Sequence, residues 1–166
     1  MATRYRIAPL DPDRERSGFH CGVEALDRYF RDQVTQDIRR RITSCFVALD
    51  EQARIAGFYT LAATSVLLAD LPEVIARKLP RYPTVPAIRM GRLAVDEAAR
   101  GKGLGGALLA DALSRSVGSE IAGFALVVDA KDDEAAAFYL HHGFVPLADQ
   151  PRTLFLPVAT ARAAHR

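Results

Sequence analysis

The sequence predicts one α/β domain in which a central mixed β-sheet is flanked by helices. Short apolar runs of strand length alternate along the chain with amphipathic stretches of helical period. The length of 166 residues, with 49% hydrophobic and 25% charged residues, suits a single globular domain over residues 1–166. These values exclude a disordered chain, a collagen-like repeat and a disulfide scaffold.

The first half of the chain predicts a strand, a helix and a hairpin. The apolar residues Leu26, Phe30, Val34 and Ile38 recur at every fourth position, which predicts a helix from about Val23 to Arg41. The other predicted elements are a strand at Tyr5–Leu10, hairpin strands at Cys45–Leu49 and Arg54–Thr64, and a short helix at Glu73–Lys78 in a proline-rich segment that is otherwise irregular.

The second half predicts two further strand–helix pairs and a final pair of strands. Asp132 is placed to cap a helix that ends near His142, and Gly143 then takes the left-handed conformation typical of a helix C-terminus. The remaining predicted elements are strands at Ile88–Val95, Phe124–Val128, Phe144–Leu147 and Leu154–Val158, with a helix that follows the glycine-rich stretch Arg100–Gly106.

Location and cysteine content favour a cytoplasmic protein. No apolar run reaches the ~18 residues of a membrane span, and the first residues carry charges without an apolar signal region. The two cysteines, Cys21 and Cys45, have no metal-site spacing, so we expect both to be small buried side chains and expect no metal.

The net charge of +2 conceals an uneven distribution. Between Val74 and Val95 the chain carries five basic residues and no acidic residue, whereas acidic residues predominate from Asp96 to Asp149. Such segregation predicts either a basic face for an anionic partner or an ordinary solvated surface.

The glycine-rich stretch Arg100-Gly101-Lys102-Gly103-Leu104-Gly105-Gly106 predicts a cradle for a phosphate or pyrophosphate, because its backbone N–H groups precede a helix. A P-loop is excluded, since Gly103 follows Lys102 where Ser or Thr is needed. A dinucleotide-binding GxGxxG also matches formally, but the preceding strand ends too early and too little chain follows Asp129. A glycine-rich helix start without a ligand is a third possibility.

Two motifs in this half resemble those of the GNAT acetyltransferases. Arg100-x-x-Gly103-x-Gly105 follows the strand that ends at Val95, and Asp132-x-x-Ala135-x-x-Phe138-Tyr139 precedes Gly143-Phe144, with Asp132 in place of the family's usual Asn. The resemblance implies the GNAT acyl-CoA N-acyltransferase fold, acetyl-CoA as co-substrate and Tyr139 as the general acid. The implied cofactor-binding residues are Leu93, Ala94, Val95, Arg100, Gly101, Lys102, Gly103, Leu104, Gly105, Gly106, Asp132, Ala135 and Phe138.

Further segments spread over nearly the whole chain resemble the TacT-type toxins within that family. They include Ser17-Gly18-Phe19-x-Cys21-Gly22, Gly57-Phe58-Tyr59-Thr60-Leu61 and Gly91-Arg92-Leu93-Ala94-Val95-Asp96. The resemblance implies acetylation of the α-amino group of aminoacyl-tRNA, which blocks translation, a ribbon-helix-helix antitoxin as partner and a homodimer.

A tRNA substrate would give the basic residues a function, because Arg can hold phosphates with its planar fork. The candidates are Arg39, Arg40, Arg41, Arg77, Lys78, Arg81, Arg89 and Arg92. Two alternatives remain at this point: a GNAT enzyme that acts on a small amine or a protein N-terminus, and a non-catalytic acyl-CoA sensor, which the intact Tyr139 disfavours.

Overall fold

The computed structural model describes residues 4–164, so residues 1–3 and 165–166 of the predicted domain lie outside the described residues. In chain order the elements are β1 (Arg6–Pro9), α1 (Glu24–Arg28), a π-helical turn (Tyr29–Gln33), α2 (Val34–Arg39), β2 (Ser44–Leu49), β3 (Ile55–Leu67), a 3₁₀ turn (Leu68–Asp70), α3 (Glu73–Ala76), β4 (Thr84–Val95), a 3₁₀ turn (Glu97–Ala99), α4 (Leu104–Val117), β5 (Ala125–Asp129), α5 (Asp133–His141), β6 (Val145–Leu147), β7 (Gln150–Pro157) and α6 (Val158–Ala164). This order agrees with the prediction, and α6 and the 3₁₀ turns are additions. Between residues 4 and 164, no helix has the length and apolar character needed to cross a bilayer.

The strands form one mixed sheet, as predicted, in the order β1-β2-β3-β4-β5-β7-β6. The pair β4–β5 is parallel, while β1–β2, β2–β3, β5–β7 and β6–β7 are antiparallel. The parallel register runs from Ala87–Ala125 to Met90–Val128. Strand β4 then continues to Val95, so its last residues lie beyond those that pair with β5.

The chain divides into two compact units, each made of two chain segments. Unit 1 comprises Met1–Ala62 and Gly91–Ala112, and unit 2 comprises Ala63–Met90 and Leu113–Arg166. Each unit contains one of the hydrophobic clusters described below.

The core of unit 1 is built on aromatic side chains. The rings of Phe30 and Phe58 stack at a centroid distance of 4.2 Å, and Phe19 contacts both edge-on at 5.1 and 5.5 Å. Val34 and Val47 pack into the same cluster and are almost fully buried. Burial of a side chain of this size contributes about 1.5–3 kcal/mol each, so this cluster fixes the helical segment on β2 and β3.

The predicted helix Val23–Arg41 forms between Glu24 and Arg39, but it is not a regular α-helix. A π-helical turn at Tyr29–Gln33 interrupts it. The wider turn keeps both Phe30 and Val34 fully buried.

The core of unit 2 surrounds β5, whose first four residues are fully buried as expected for a strand covered on both faces. The Asp132 carboxylate accepts a hydrogen bond from the Ala135 N–H at 2.8 Å, which confirms the predicted cap of α5. Gly143 follows that helix with a φ of +91°, as predicted.

Several predicted boundaries were wrong. Strand β4 begins at Thr84 rather than Ile88, and the exposed Pro86 lies within it. The Pro86 carbonyl accepts a hydrogen bond from the Phe124 N–H at 2.8 Å, so proline at this position still takes part in the pairing. Strand β3 extends to Leu67 rather than Thr64, and α3 ends at Ala76 rather than Lys78. The irregular segment predicted before Ile88 is therefore shorter than expected.

Candidate active site

The glycine loop of unit 1 connects the 3₁₀ turn after β4 to α4 and is anchored at its start. One carboxylate oxygen of Asp96 accepts from the Ala98 N–H at 2.9 Å, and the other accepts from the His20 N–H at 3.0 Å. The Arg100 guanidinium donates to the Cys21 carbonyl. The side chain of Arg100 therefore holds the loop in place, which leaves the backbone of the following residues to face a ligand.

Two glycines give this loop its shape. Gly101 and Gly103 have φ values of +75° and +77°, in the left-handed region that L-residues with a side chain avoid. A Cβ built on either glycine would have no heavy atom within 4 Å, so both positions face open space. Leu104 begins α4 directly afterwards, and unpaired N–H groups at such a helix start attract anions. This backbone conformation is compatible with the pyrophosphate cradle that the sequence predicts, and that role stays a prediction.

The other predicted cofactor residues of unit 1 lie on both sides of this loop. Ala94 is buried in the aromatic core, while Leu93 and Val95 on β4 are half-buried. Leu104 is buried, Gly105 and Gly106 lie in the first turn of α4, and Lys102 is exposed. Ala94 thus fixes β4 on the core, and its two neighbours direct their side chains to the other face of the strand.

In unit 2, Tyr139 lies on α5 with its side chain almost entirely buried. Its ring contacts Phe138 at a centroid distance of 5.2 Å and Phe144 at 5.6 Å. Within residues 4–164, the Tyr139 hydroxyl has no hydrogen-bond partner, yet no buried polar side-chain atom is left unsatisfied. The hydroxyl therefore keeps contact with solvent, and its proton is free to be donated to a ligand.

Two other tyrosines have hydroxyl groups that are already engaged. The fully buried Tyr59 donates to the Asp111 carboxylate at 2.5 Å, and Tyr29 donates to Asp37 at 2.8 Å. A hydroxyl bound to a carboxylate cannot protonate a leaving group without breaking that bond. Tyr139 is thus better placed than either to act as a proton donor.

Burial raises the pKa of Tyr139 to about 12, and the negative charge of Asp129 acts in the same direction. Both effects disfavour the tyrosinate form. The hydroxyl consequently stays protonated throughout the physiological pH range. This is the state that a general acid must have before the reaction begins.

The remaining predicted cofactor residues, Asp132, Ala135 and Phe138, belong to the same helix as Tyr139. The carboxylate of Asp132 caps the helix, and Ala135 and Phe138 are half-buried. The Phe138 ring also contacts His142 at a centroid distance of 4.6 Å. The cap and this ring contact are local to the helix, so they stabilise the helix itself.

The predicted tRNA-binding residues fall into two groups by their contacts. Exposed side chains belong to Arg39, Arg40, Arg41, Arg77, Lys78 and Arg81. In unit 2, Arg89 pairs with the Asp129 carboxylate, which also accepts from the Thr153 hydroxyl at 2.9 Å. In unit 1, Arg92 stacks on the Tyr29 ring. Arg89 is therefore partly neutralised, and Arg92 is held in a defined orientation.

Both cysteines are free and buried, as predicted. Burial raises the pKa of the Cys45 thiol to about 12, so this thiol is not a reactive nucleophile. The raised pKa therefore disfavours Cys45 as the carrier of a covalent acetyl intermediate.

Unit 1 also contains a cavity of about 790 Å³ between the segment 14–19, the hairpin turn 50–56 and the residues before the glycine loop. The Arg14 and Arg16 guanidinium groups at its wall donate to the main-chain carbonyls of Ala53 and Phe30. Of the predicted site residues, only Lys102 lines this cavity. The cavity is thus lined almost entirely by residues other than the predicted site residues.

Tyr29 and Asp37 are not among the site residues predicted from the sequence. These residues lie with Gln33 at every fourth position of the helical segment, a polar stripe that the sequence itself contains. The four-residue spacing of these polar residues is visible in the sequence, but only the apolar residues of the same segment were used to predict the helix.

Comparisons with known proteins agree with this geometry. Residues 41–146 match the family model described as the acetyltransferase (GNAT) domain. The tRNA-acetylating toxin of Mycobacterium tuberculosis is 39% identical over 160 residues, covering 95% of this chain and 93% of the relative. The probable toxin TacT of Sinorhizobium fredii is 33% identical over 173 residues, covering 98% and 96%.

Solved structures of similar proteins include complexes with substrates and partners. AtaT complexed with acetyl-methionyl-tRNAfMet has a TM-score of 0.91 at 27% identity, covering 98% of this chain and 100% of that chain. AtaTR bound with acetyl-CoA has a TM-score of 0.81 at 29% identity, covering 98% of both chains. The AtaT–AtaR complex bound to DNA has a TM-score of 0.79 at 25% identity, covering 97% and 99%.

The family match extends over most of the chain, and both toxin relatives align along nearly its full length. The glycine loop and the helix that carries Tyr139 have the local geometry that the two motifs predict. The chain belongs to the GNAT acetyltransferase family and, within it, to the TacT-type toxins.

Proposed function

We propose that this protein is the toxin of a toxin–antitoxin pair and transfers an acetyl group from acetyl-CoA to the α-amino group of aminoacyl-tRNA. The observation that carries the proposal is the near-full-length similarity to a toxin named for tRNA acetylation. The complex of AtaT with acetyl-methionyl-tRNAfMet supports the same acceptor. An acetylated α-amine is no longer a nucleophile, so a tRNA that carries it cannot accept the growing peptide, and translation stops.

Acetyl-CoA supplies the acetyl group as a thioester. The N–H groups of the glycine loop would hold its pyrophosphate, because Gly101 and Gly103 keep the loop backbone open to the ligand. The backbone of Leu93–Val95 would orient the arm and polarise the thioester carbonyl, since β4 extends past its register with β5.

Tyr139 would act as the general acid. Its hydroxyl is uncommitted and fully protonated, so it can stabilise and then protonate the thiolate that leaves. The α-amine of an aminoacyl ester titrates near ~7.7–8.0, so a useful fraction is neutral at cellular pH and needs no strong base. We therefore propose direct attack of the amine in a ternary complex.

The exposed basic residues would bind the phosphates of the tRNA acceptor end. The candidates are the exposed Arg39, Arg40, Arg41, Arg77, Lys78 and Arg81, together with the half-buried Arg92. Arg89 contributes less, because Asp129 offsets its charge.

The proposal extends to partners and location. Similarity to the AtaT–AtaR complex bound to DNA supports an antitoxin that binds DNA, for which a ribbon-helix-helix protein is our expectation. We further propose a homodimer, a single acetyltransferase domain over residues 1–166 and action in the cytoplasm, where aminoacyl-tRNA is used. No role in this reaction calls for a metal.

Incubation with radiolabelled acetyl-CoA and either charged or uncharged tRNA tests the proposal. We expect label on the aminoacyl group of charged tRNA and no label on uncharged tRNA. Label only on polyamines or protein N-termini would instead identify an enzyme of the alternative class and would overturn the tRNA assignment.

The pH profile of the reaction is a further prediction. The rate should rise as the acceptor amine loses its proton near pH ~7.7–8.0 and then stay level. Tyr139 acts in its protonated form, and that form is lost only as the pH rises through its raised pKa of about 12. Initial rates with an amide-linked analogue of aminoacyl-tRNA, which resists alkaline hydrolysis, check this prediction. A decline centred near pH ~10, the ordinary pKa of tyrosine, would contradict it.

A further inference from the structure

Three polar side chains of the helical segment in unit 1 are connected to one another. Tyr29, Gln33 and Asp37 lie four residues apart. The Tyr29 hydroxyl donates to one oxygen of the Asp37 carboxylate at 2.8 Å, and the Gln33 amide donates to the other at 3.1 Å. The π-helical turn that begins at Tyr29 lies within this stripe, and such turns are frequent at functional sites.

The guanidinium of Arg92 lies on the face of the Tyr29 ring, with its central carbon 3.4 Å from the ring centroid. A planar cation on an electron-rich ring is a favourable contact. Asp37 strengthens it, because a phenol that donates to a carboxylate gains electron density in its ring. The stack therefore fixes the plane and the direction of the Arg92 side chain.

The hydrogen-bonding capacity of Arg92 remains unused. Within residues 4–164, its N–H groups have neither a hydrogen bond nor an ion pair. Arg16 and Arg100, by contrast, donate to main-chain carbonyls, and Arg89 pairs with a carboxylate. Arg92 is half-buried, so water satisfies it less well than it satisfies the exposed arginines. A half-buried guanidinium with free donors is suited to bind an anion.

Tyr29 and Asp37 each keep one protonation state over the physiological pH range. Burial, and then the hydrogen bond to Asp37, raise the pKa of Tyr29, so the phenol stays neutral. Hydrogen bonds from Tyr29 and Gln33 hold the pKa of Asp37 below its usual range, so the carboxylate stays charged. The cluster therefore behaves as a fixed support for Arg92 and not as a titrating switch.

We infer that Arg92, supported by Tyr29 and Asp37, binds a phosphodiester group of the acceptor strand next to the aminoacyl end. The inference rests on the proposed function and deepens it. Arg92 directly precedes Leu93 in β4, so its Cα lies one peptide step, about 3.8 Å, from the segment proposed to orient the thioester. Arg92 would be the contact residue, and Tyr29 and Asp37 would be positioning residues.

The test compares two acceptors: an aminoacylated trinucleotide, which contains phosphodiesters, and aminoacyl-adenosine, which contains none. For Arg92→Ala we expect KM for the trinucleotide to rise about tenfold or more, with kcat changed little, because a charge-assisted contact is lost. For aminoacyl-adenosine we expect KM to stay within about twofold. The salt dependence of trinucleotide binding should also weaken, with a slope reduced by about 0.7.

Substitutions of the supporting residues test the positioning roles. Tyr29→Leu removes the ring face and should raise the trinucleotide KM nearly as much as Arg92→Ala. Tyr29→Phe keeps the face but loses the bond to Asp37, so we expect only a two- to threefold rise, on the order of one weak neutral contact. Arg28→Ala is the matched control, since Arg28 is exposed and paired with Glu24 on the same segment. Thermal unfolding of each variant checks that the fold is retained.

The possible results separate the inference from the proposed function. If the wild-type protein acetylates neither acceptor and no charged tRNA, the proposed function fails. If Arg92→Ala raises KM equally for both acceptors and leaves the salt slope unchanged, Arg92 does not bind a phosphate and the inference is overturned. Full retention of activity in Arg92→Lys would show that a point charge suffices and would overturn the stacked-fork arrangement. An unchanged trinucleotide KM in Tyr29→Leu would also overturn the stacked-fork arrangement.

Discussion

Replacing Tyr139 by Phe is expected to lower kcat by about 10²–10⁴-fold, the usual contribution of a positioned general acid. The affinity for acetyl-CoA should be unchanged, because the ring remains and keeps its contacts with Phe138 and Phe144. The substitution removes only the hydroxyl, which bonds to no residue between 4 and 164, so the stability of the fold should also be preserved. Single-turnover rates, with calorimetric binding of acetyl-CoA alongside, measure both quantities.

Tyr59→Phe provides the matched control, because it also removes one phenolic oxygen from a buried tyrosine. The Tyr59 hydroxyl is bound to Asp111, so its loss should destabilise the fold by about 1–3 kcal/mol without lowering kcat. Near-normal turnover in Tyr139→Phe would contradict the assignment of Tyr139. An equal loss of kcat in both variants would point to a general effect of removing a tyrosine hydroxyl from the core.

Much of the fold could be predicted from local patterns, since the order of helices and strands follows from periodicity and turn residues. The π-helical turn at Tyr29–Gln33 is a feature that the periodicity did not predict. Each step of four residues advances about 40° beyond a full turn of an α-helix, so Leu26, Phe30, Val34 and Ile38 would drift around a regular helix. A wider turn reduces the drift and lets Phe30 and Val34 share one buried face.

The start of β4 could not be predicted locally. Pro83 and Pro86 favoured an irregular segment, because proline lacks the N–H that a central strand donates. Whether that loss matters depends on which groups the neighbouring chain supplies. Here the N–H of Phe124 donates to the Pro86 carbonyl, a contact from a distant part of the sequence.

In the candidate site, too, local features could be predicted from the sequence, whereas contacts between distant segments could not. Tyr139 and the glycine loop were found because their motifs are continuous in the sequence, and local structure then sets their geometry. The support of Arg92 by Tyr29 was not found, because it joins β4 to a helix far away in the chain. Arg89 and Arg92 are equivalent cations in the sequence, whereas the folded chain joins Arg89 to Asp129 by an ion pair and places Arg92 on an aromatic ring, where Asp37 acts on it through its charge.

The second large effect is expected at the glycine loop. Gly103→Ala should raise KM for acetyl-CoA about tenfold, since an L-residue forced into the left-handed region costs about 1–2 kcal/mol and 1.4 kcal/mol corresponds to a factor of ten. The backbone can avoid the left-handed conformation only if its N–H groups turn away from the proposed pyrophosphate site. In the proposed mechanism kcat depends on Tyr139 and the acceptor amine, so it should change little. Steady-state kinetics with varied acetyl-CoA and saturating acceptor separates the two constants.

Two further variants distinguish backbone conformation from lack of space. Gly18 also faces open space but has no left-handed φ, so Gly18→Ala should leave KM within about twofold of the wild type. Gly103→Asn introduces a larger side chain that tolerates the left-handed region, so it should impair binding less than Gly103→Ala does. If Asn is instead the more harmful substitution, the side chain itself blocks the ligand. The loop would then bind through close approach at Gly103 and not through the φ of +77° that the glycine permits.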